Sequence, residues 1–310
     1  MTSESDQPAP ATPLAPGLYL VATPIGNLAD ITLRALDVLR RAGRICCEDT
    51  RHTQKLLNHY SIATRTESLH EHNEYARVAE LIEELKRGSA IALVTDAGTP
   101  GISDPGMLLA RAAISAGIPV IPIPGANAAL SALVASGLPA AEFTFLGFLP
   151  EKAGQRRTRL ESLAEEAGAG PRTLIFYEAP HRILDTLADL ESVFGPELPI
   201  VLARELTKAH EEFLRGPIGE IRAQLAARDR IRGEITLLIQ APSASAGGVP
   251  GPSSAAAEGT RESIANRVAR LQSETGIDEK EALKRLAREL HRSKSDLYRE
   301  LQRQRSQRKS

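Results

Sequence analysis

Short apolar runs alternate with helix-periodic stretches along most of this 310-residue chain, and no other feature limits its fold as strongly. LYLVATP, starting at Leu18, reads as a buried strand, and Ile31, Ala35, Val38, Leu39 and Ala42 follow at helical spacing behind Asp30 as candidate cap. RICCED is the next strand, with Thr50 placed to cap the helix after it. A helix capped by Asn73 runs to Gly88, and IALVTDAG follows as a strand. Asp104-Pro105 opens a helix that Gly117 ends, before the strand PVIPIPG. The alternation continues through helix 126–136, strand FTFLGF, a helix over about 153–167, strand TLIFY, helix 181–192, strand PIVLAR, helix 217–227 and strand EITLLIQ. Strand and helix in turn, joined by short loops, predict an α/β fold with a mostly parallel sheet. There are too many strands for one unit of this size, so the expectation is two tandem α/β domains, 17–124 and 125–241.

The flanks differ from this centre. Residues 1–16 are small, polar and Pro-rich, as in a disordered tail, and lack the basic start and apolar core of a secretory signal. Residues 242–260 are Pro, Ser, Gly and Ala, the composition of a flexible linker. Residues 261–310 carry 14 Lys and Arg against 8 Asp and Glu, a charge of +6, whereas the whole chain carries −1. Leu283, Leu286, Ala287 and Leu290, then Leu297 and Leu301, suggest two small amphipathic helices about a turn at Arg292-Ser293. Such a helix-turn-helix-like, basic appendage is either a nucleic-acid contact or a solvated tail.

No run of about 18 apolar residues exists, which excludes a transmembrane helix. The only cysteines, Cys46 and Cys47, are adjacent; neither a disulfide scaffold nor a cysteine-built zinc site can come from them, and a reducing cytoplasm is the expected compartment. GxxxxGK[ST] is absent, as is a GxGxxG after a strand, so kinases, GTPases and Rossmann dehydrogenases fit poorly.

Three Gly- and Pro-rich loops, 23–27, 96–106 and 124–132, follow predicted strands. Loops at the carboxyl ends of parallel strands line the ligand crevice, so together they point to a small-molecule pocket; singly, each is also compatible with a tight turn. Polar residues gather in EDTRHT (48–53), SLHEHNE (68–74), YEAPHR (177–182) and RELTK (204–208). His70 and His72 have the spacing of a metal pair, but the sequence places no third ligand, and no metal is expected. Arg204, Glu205 and Lys208 end a strand, where dense charge suggests a cleft; Glu48, Asp49 and Arg51 are also explained as a capped helix start.

VATPIGNLADITLRAL, EDTRHTQKLL, HEHNE, DAGTPGISDPG, GFLP, FYEAPHR and RELTK, in this order and spacing, resemble the ribosomal RNA small subunit methyltransferase I family of the tetrapyrrole-methylase superfamily. The resemblance spans about residues 17–241 and, more loosely, the basic tail; Gly101 is a small departure from the family pattern. It implies a homodimeric, cytoplasmic enzyme that transfers a methyl group from S-adenosylmethionine to the ribose 2′-hydroxyl of a cytidine in the decoding region of 16S rRNA, within the small ribosomal subunit. The cofactor would lie in a cleft between the two domains. By motif position, Thr23, Pro24 and Gly26 form its first loop, Asp96, Ala97, Gly98 and Thr99 face its ribose and methionine part, and Gly125, Ala126 and Ser131 form another wall. Tyr177 and Glu178 approach the adenine, with Glu234 to Thr236 nearby.

A ribose hydroxyl is a poor nucleophile, so a base or an alkoxide-stabilising cation would help. Glu48 and His52 are candidate bases, and Arg51, Arg204 and Lys208 candidate cations. RNA needs basic groups along the cleft rim. Arg156, Arg157 and Arg159, with Gln155, form one candidate set, and His181 and Arg182 another; a solvated helix face explains 155–159 equally well. Two other classes remain: a small-molecule (tetrapyrrole) methylase and a noncatalytic ribosome-assembly factor.

Overall fold

The computed structural model describes residues 13–166, 172–241, 268, 271–272 and 277–289. Most of the 1–16 tail, the 242–260 linker, and Leu290, Leu297 and Leu301 of the basic segment lie outside the described residues. The chain divides into two units, residues 1–247 and 248–310.

The first sheet has the order β3-β2-β4-β1-β5, with every pairing parallel: β1 (Gly17–Val21), β2 (Arg44–Cys47), β3 (Thr66–Ser68), β4 (Ala90–Leu93) and β5 (Val120–Ile123). Side chains on a strand alternate between faces, and here both faces are covered. Tyr19, Ile45 and Cys47 pack with Leu36 and Leu39 of α1 (Leu33–Arg41) and Leu57 of α2 (Thr50–His59). Leu18, Cys46 and Leu93 pack with Leu81 of α3 (Glu71–Lys86) and Leu109 of α4 (Met107–Ser115). The adjacent cysteines therefore enter opposite layers as small apolar groups. Burial pushes the Cys46 thiol up to about 12, which makes it inert near neutral pH.

The second sheet has the order β6-β7-β10-β8-β9: β6 (Phe143–Phe148), β7 (Thr173–Glu178), β8 (Pro199–Arg204), β9 (Glu212–Pro217) and β10 (Ile235–Gln240). Here the expectation of parallel strands fails. Only β6 and β7 run parallel; the other three pairings are antiparallel. The cause is β9, which was not foreseen. After Arg204 the backbone turns through two left-handed non-glycine residues, Glu205 and Thr207, and returns as an edge strand. EFLRGP lacks a clean apolar alternation and ends in proline, as edge strands can. One face of this sheet packs on α6 (Ala153–Glu165), α7 (Ile183–Phe194) and α8 (Ile218–Ala226). Ala129, Ala132 and Leu133 of α5 (Ala128–Ser136) cover the other, together with Ile25 from the loop after β1.

Several caps differ from those expected. Thr32, not Asp30, caps α1; Asp49, not Thr50, caps α2. His70 precedes α3, with Asn73 Oδ1 accepting from its backbone N–H at 2.9 Å. Gly106, at φ 116°, precedes α4 and leaves Asp104 without the capping role assigned to it. In the second unit, Ala282, Leu283 and Leu286 of α9 (Glu279–Glu289) pack with Val268, Leu271 and Ile277 into a small apolar cluster.

Candidate active site

A cleft of about 340 Å³ lies between the loops of the first sheet and the strand ends of the second. Its first wall starts from an antiparallel bridge between Thr23 and Gly98 (N···O 2.8 and 3.1 Å), which joins the loops after β1 and β4. Gly98, at φ 86°, takes a backbone conformation that strongly favours glycine. Beyond it, Thr99, Ser103 and Asp104 face the cleft. Buried Glu74 holds this loop: its Oε1 accepts from the backbone N–H groups of Gly106 and Leu109, both at 3.1 Å. Two of the orphan donors at the start of α4 are thereby satisfied, and the negative charge suits the helix N-terminus.

Side chains build the second wall. Tyr177 sits edge-on to Phe145 and Phe148, with ring centroids 4.9 and 5.8 Å apart, and burial raises its phenol. Glu178 borders the cleft, but its carboxyl is fully engaged: Oε1 accepts from Ala179 N–H at 2.8 Å and Oε2 from the Thr186 hydroxyl at 2.6 Å. Leu206 and Glu234 to Thr236 complete this side.

The two walls are clasped together. Asn27 N–H donates to Thr207 Oγ1 at 3.1 Å. Lys208 lies so close to Gly26 that a Cβ there would overlap its side chain. Of the four non-glycine residues with positive φ among the described residues, Ser103 lines the cleft, and Glu205 and Thr207 flank Leu206; Ser61 is elsewhere. Backbone strain of this kind persists where surrounding structure enforces it, commonly at functional sites.

Of the residues expected to hold a cofactor, Ala97, Gly98, Thr99, Tyr177, Glu178 and Thr236 line the cleft. Thr23, Pro24, Gly26, Asp96, Gly125, Ala126 and Ser131 do not. Several of these support the wall from behind. The Thr23 hydroxyl donates to Thr95 O at 3.1 Å, Asp96 Oδ1 accepts from Asp49 N–H at 3.2 Å, and Ala126 O accepts from the Thr99 hydroxyl at 3.4 Å. A Cβ on Gly125 would come within 2.9 Å of the Ala22 methyl, so close backbone approach requires glycine there. Ser131 is half-buried in the first turns of α5.

The candidate catalytic residues separate. Lys208 Nζ is 2.7 Å from Glu205 and 3.0 Å from Glu234; burial works to lower its pKa, but these carboxylates outweigh it and hold the ammonium protonated. Arg204 points to Glu212 at 3.0 Å, Arg51 is exposed and paired with Asp49, and His52 is exposed on α2. Glu48 sits behind the wall, its pKa raised by burial and by Asp96.

Two of the arginines assigned to RNA are structural instead. Arg156 is buried: Nε donates to Asp189 at 2.7 Å and Nη1 to Glu151 O at 3.0 Å. Arg182 donates Nη2 to the carbonyls of Leu149 and Pro150 at 2.8 and 3.2 Å. Both fasten the chain after β6 to α6 and α7, since buried carbonyls need donors. Arg157 and Arg159 are largely exposed, paired with Asp189 and Glu166, and His181 is exposed. No group of three or more His, Cys, Asp or Glu is placed to hold a metal among the described residues, and the His72 side chain lies outside them. Ser103 and Asp104 lie in the 96–106 loop assigned to the pocket but were not singled out, and Phe148 and Leu206 were missed as cleft residues. The available signal for Asp104 was its place in DAGTPGISDPG, where it read instead as a helix cap.

Residues 17–222 match the model of the tetrapyrrole (corrin/porphyrin) methylases. The chain is 53% identical over 223 residues to "Ribosomal RNA small subunit methyltransferase I" of Halalkalibacterium halodurans, covering 72% of this chain and 75% of that one. It is 45% identical over 282 residues to the protein of the same name from a Synechocystis species, covering 91% and 95%. A solved structure of a conserved hypothetical protein from Aeropyrum pernix K1 shares the fold at a TM-score of 0.55 and 20% identity, covering 74% of this chain and 85% of that one. No described helix is long and apolar enough to cross a membrane. By matched length and identity, the chain belongs to the tetrapyrrole methylase family, in the group named ribosomal RNA small subunit methyltransferase I.

Proposed function

We propose that this protein transfers a methyl group from S-adenosylmethionine to the ribose 2′-hydroxyl of a cytidine in the decoding region of 16S rRNA, acting on the small ribosomal subunit in the cytoplasm as a homodimer. One observation carries the reading. A chain about half identical to proteins named for small-subunit rRNA methylation has a cleft with an aromatic and aliphatic wall, a glycine-shaped backbone wall and carboxylates at its rim. Its volume is within the usual range for small-molecule sites.

Those residues suit S-adenosylmethionine. Ile25, Leu206 and the Tyr177–Phe148 rings offer apolar surface to an adenine, and the backbone at Gly98 allows close approach of a ribose or methionine group. Glu234 supplies negative charge toward a cationic ligand, and an aromatic face favours a cation further. The bound cofactor supplies an electrophilic methyl on a sulfonium, so the protein's main task is to align it with the hydroxyl. Thr207 and Lys208 help by tying the second wall to the first.

The polyanionic partner requires exposed cations. Arg157, Arg159 and His181 remain available on the surface. The basic segment 261–310 is a second contact, and the 91% match to the Synechocystis relative is too long to fit within residues 1–260. Met107, Ile114 and Val134, on α4 and α5, are 54%, 65% and 78% exposed; apolar groups this exposed favour burial against a second copy.

The test offers the purified chain and labelled S-adenosylmethionine to small subunits from cells lacking this activity, to naked rRNA and to a tetrapyrrole precursor. Label on one cytidine ribose in the subunits is expected. Label only on the tetrapyrrole contradicts the substrate, and cofactor binding with no turnover on subunits favours an assembly factor.

A further inference from the structure

We propose that Asp104 is the proton acceptor for the substrate hydroxyl. The inference rests on the methyl-transfer reading above and deepens it. Among the described residues three carboxyl groups line the cleft: Asp104, Glu178 and Glu234. Glu178 is sealed, with both oxygens accepting hydrogen bonds. Glu234 is 75% exposed and bound to Lys208. Asp104 alone borders the cleft with no cation beside it among the described residues.

Its surroundings are built to keep it a base rather than an ion-pair member. Glu48, the residue after β2, and Asp96, from its own loop, lie near enough for their charge to act on it, and it acts in turn on Tyr177 of β7. Behind it lies the Thr95 hydroxyl, 2% exposed. Thr95 Oγ1 is close enough to Glu48 and Asp104 to hold both down, yet has no partner with full hydrogen-bond geometry. Burial first, then the negative neighbours, push Asp104 up to about 6 against the opposing Thr95. A carboxylate there is ionised at neutral pH but retains more proton affinity than an ordinary aspartate. The backbone presents it deliberately: Ser103 is strained at φ 62°, and Glu74 fixes the loop two residues on.

The step balances with S-adenosylmethionine as co-reactant. The ribose oxygen forms its bond to the methyl carbon, and the carbon–sulfur bond breaks with its electron pair left on sulfur as a neutral thioether. The hydroxyl proton passes to Asp104 Oδ and then to water. Glu48, one of the two candidate bases from the sequence, acts on Asp104 through its charge, which raises the Asp104 carboxyl.

The test uses full-length Asp104→Asn and Asp104→Glu. In Asp104→Asn, calorimetric affinity for S-adenosylmethionine is expected within about threefold of wild type. Single-turnover methylation of small subunits should fall by roughly 10²–10⁴-fold, the usual contribution of a positioned base. The wild-type rate should fall as pH drops through about 6, and Asp104→Asn should lose that limb while Asp104→Glu keeps a displaced one. A second readout needs no turnover. The raised pKa makes ionised Asp104 a burden on the fold above about pH 6, so Asp104→Asn should melt higher than wild type at pH 8, with the gap closing below about pH 4. Wild-type turnover and pH profile in Asp104→Asn would overturn the inference alone. So would loss of cofactor affinity beyond about 30-fold, which would make Asp104 a contact for the cofactor's cation. Wild-type protein that leaves the subunit ribose unmethylated would overturn the functional reading as well.

Discussion

The two sheets solve the same problem differently. In the first, parallel strands are covered on both faces by helices, its core is almost wholly apolar, and its cleft wall is backbone shaped by glycines. In the second, antiparallel strands carry side chains to the cleft, and buried charge fastens the surrounding helices: Arg156 with Asp189, Glu178 with Thr186. The first wall allows close approach at Gly98 and, among the described residues, carries a single carboxylate, Asp104. The second wall adds the aromatic rings of Tyr177 and Phe148 and the carboxyl groups of Glu178 and Glu234. The arrangement teaches that tolerance to substitution should differ between halves: apolar layers adjust, whereas a buried charge cannot be left alone.

The strongest way to break this contrast is Asp189→Asn. It strands Arg156, whose partner carboxylate is only 3% exposed, and should cost about 3–5 kcal/mol in denaturant unfolding. A loss under about 1 kcal/mol would mean that the carbonyls of Pro150 and Glu151 suffice for Arg156. Glu74→Ala probes the one comparable joint of the first half. Two buried N–H groups lose their acceptor, so a cost of about 1–3 kcal/mol is expected, together with weaker cofactor binding as the 99–106 loop loosens.

Glu212 sharpens the contrast through pH. Arg228, and after it Arg204, hold its carboxyl down to about 2 against some burial. A depressed folded-state pKa adds stability above the ordinary carboxylate range, and that stability is lost as pH falls through about 4.5 toward about 2. Glu212→Gln should therefore lower neutral-pH stability by on the order of 1–2 kcal/mol, after screening, and flatten the acid limb of a melting profile. Arg157→Ala should matter least. It is 59% exposed, Asp189 keeps Arg156, and a loss below about 1 kcal/mol is expected, while affinity for small subunits falls at low salt.

The first half was the more readable from sequence because parallel strands buried on both faces read as unbroken apolar runs, and each Gly- or Pro-rich loop after them marks a carboxyl end. LYLVATP and IALVTDAG were legible for that reason. The second half hid two things. Strand direction depends on the turn at 205–207, where left-handed non-glycine residues give no compositional signal. The edge strand β9 is partly buried at five of its six positions and fully buried at none, where a core strand would alternate. Charge was the least legible property. Arg156, Arg157 and Arg159 look alike in sequence, yet Arg156 points inward to Asp189, 33 residues away, and only tertiary packing decides it. Asp104 escaped for the opposite reason: Asp-Pro is a strong helix-start signal, and Gly106 took the position that Asp104 was expected to fill.

The central claim is that both sheets contribute walls to one cofactor cleft. Amide hydrogen exchange of the full chain, with and without saturating S-adenosylmethionine, tests it most directly. The account predicts new protection in both 97–104 and the 177–180 and 234–236 segments. Protection confined to one sheet, or located away from these segments, would contradict it.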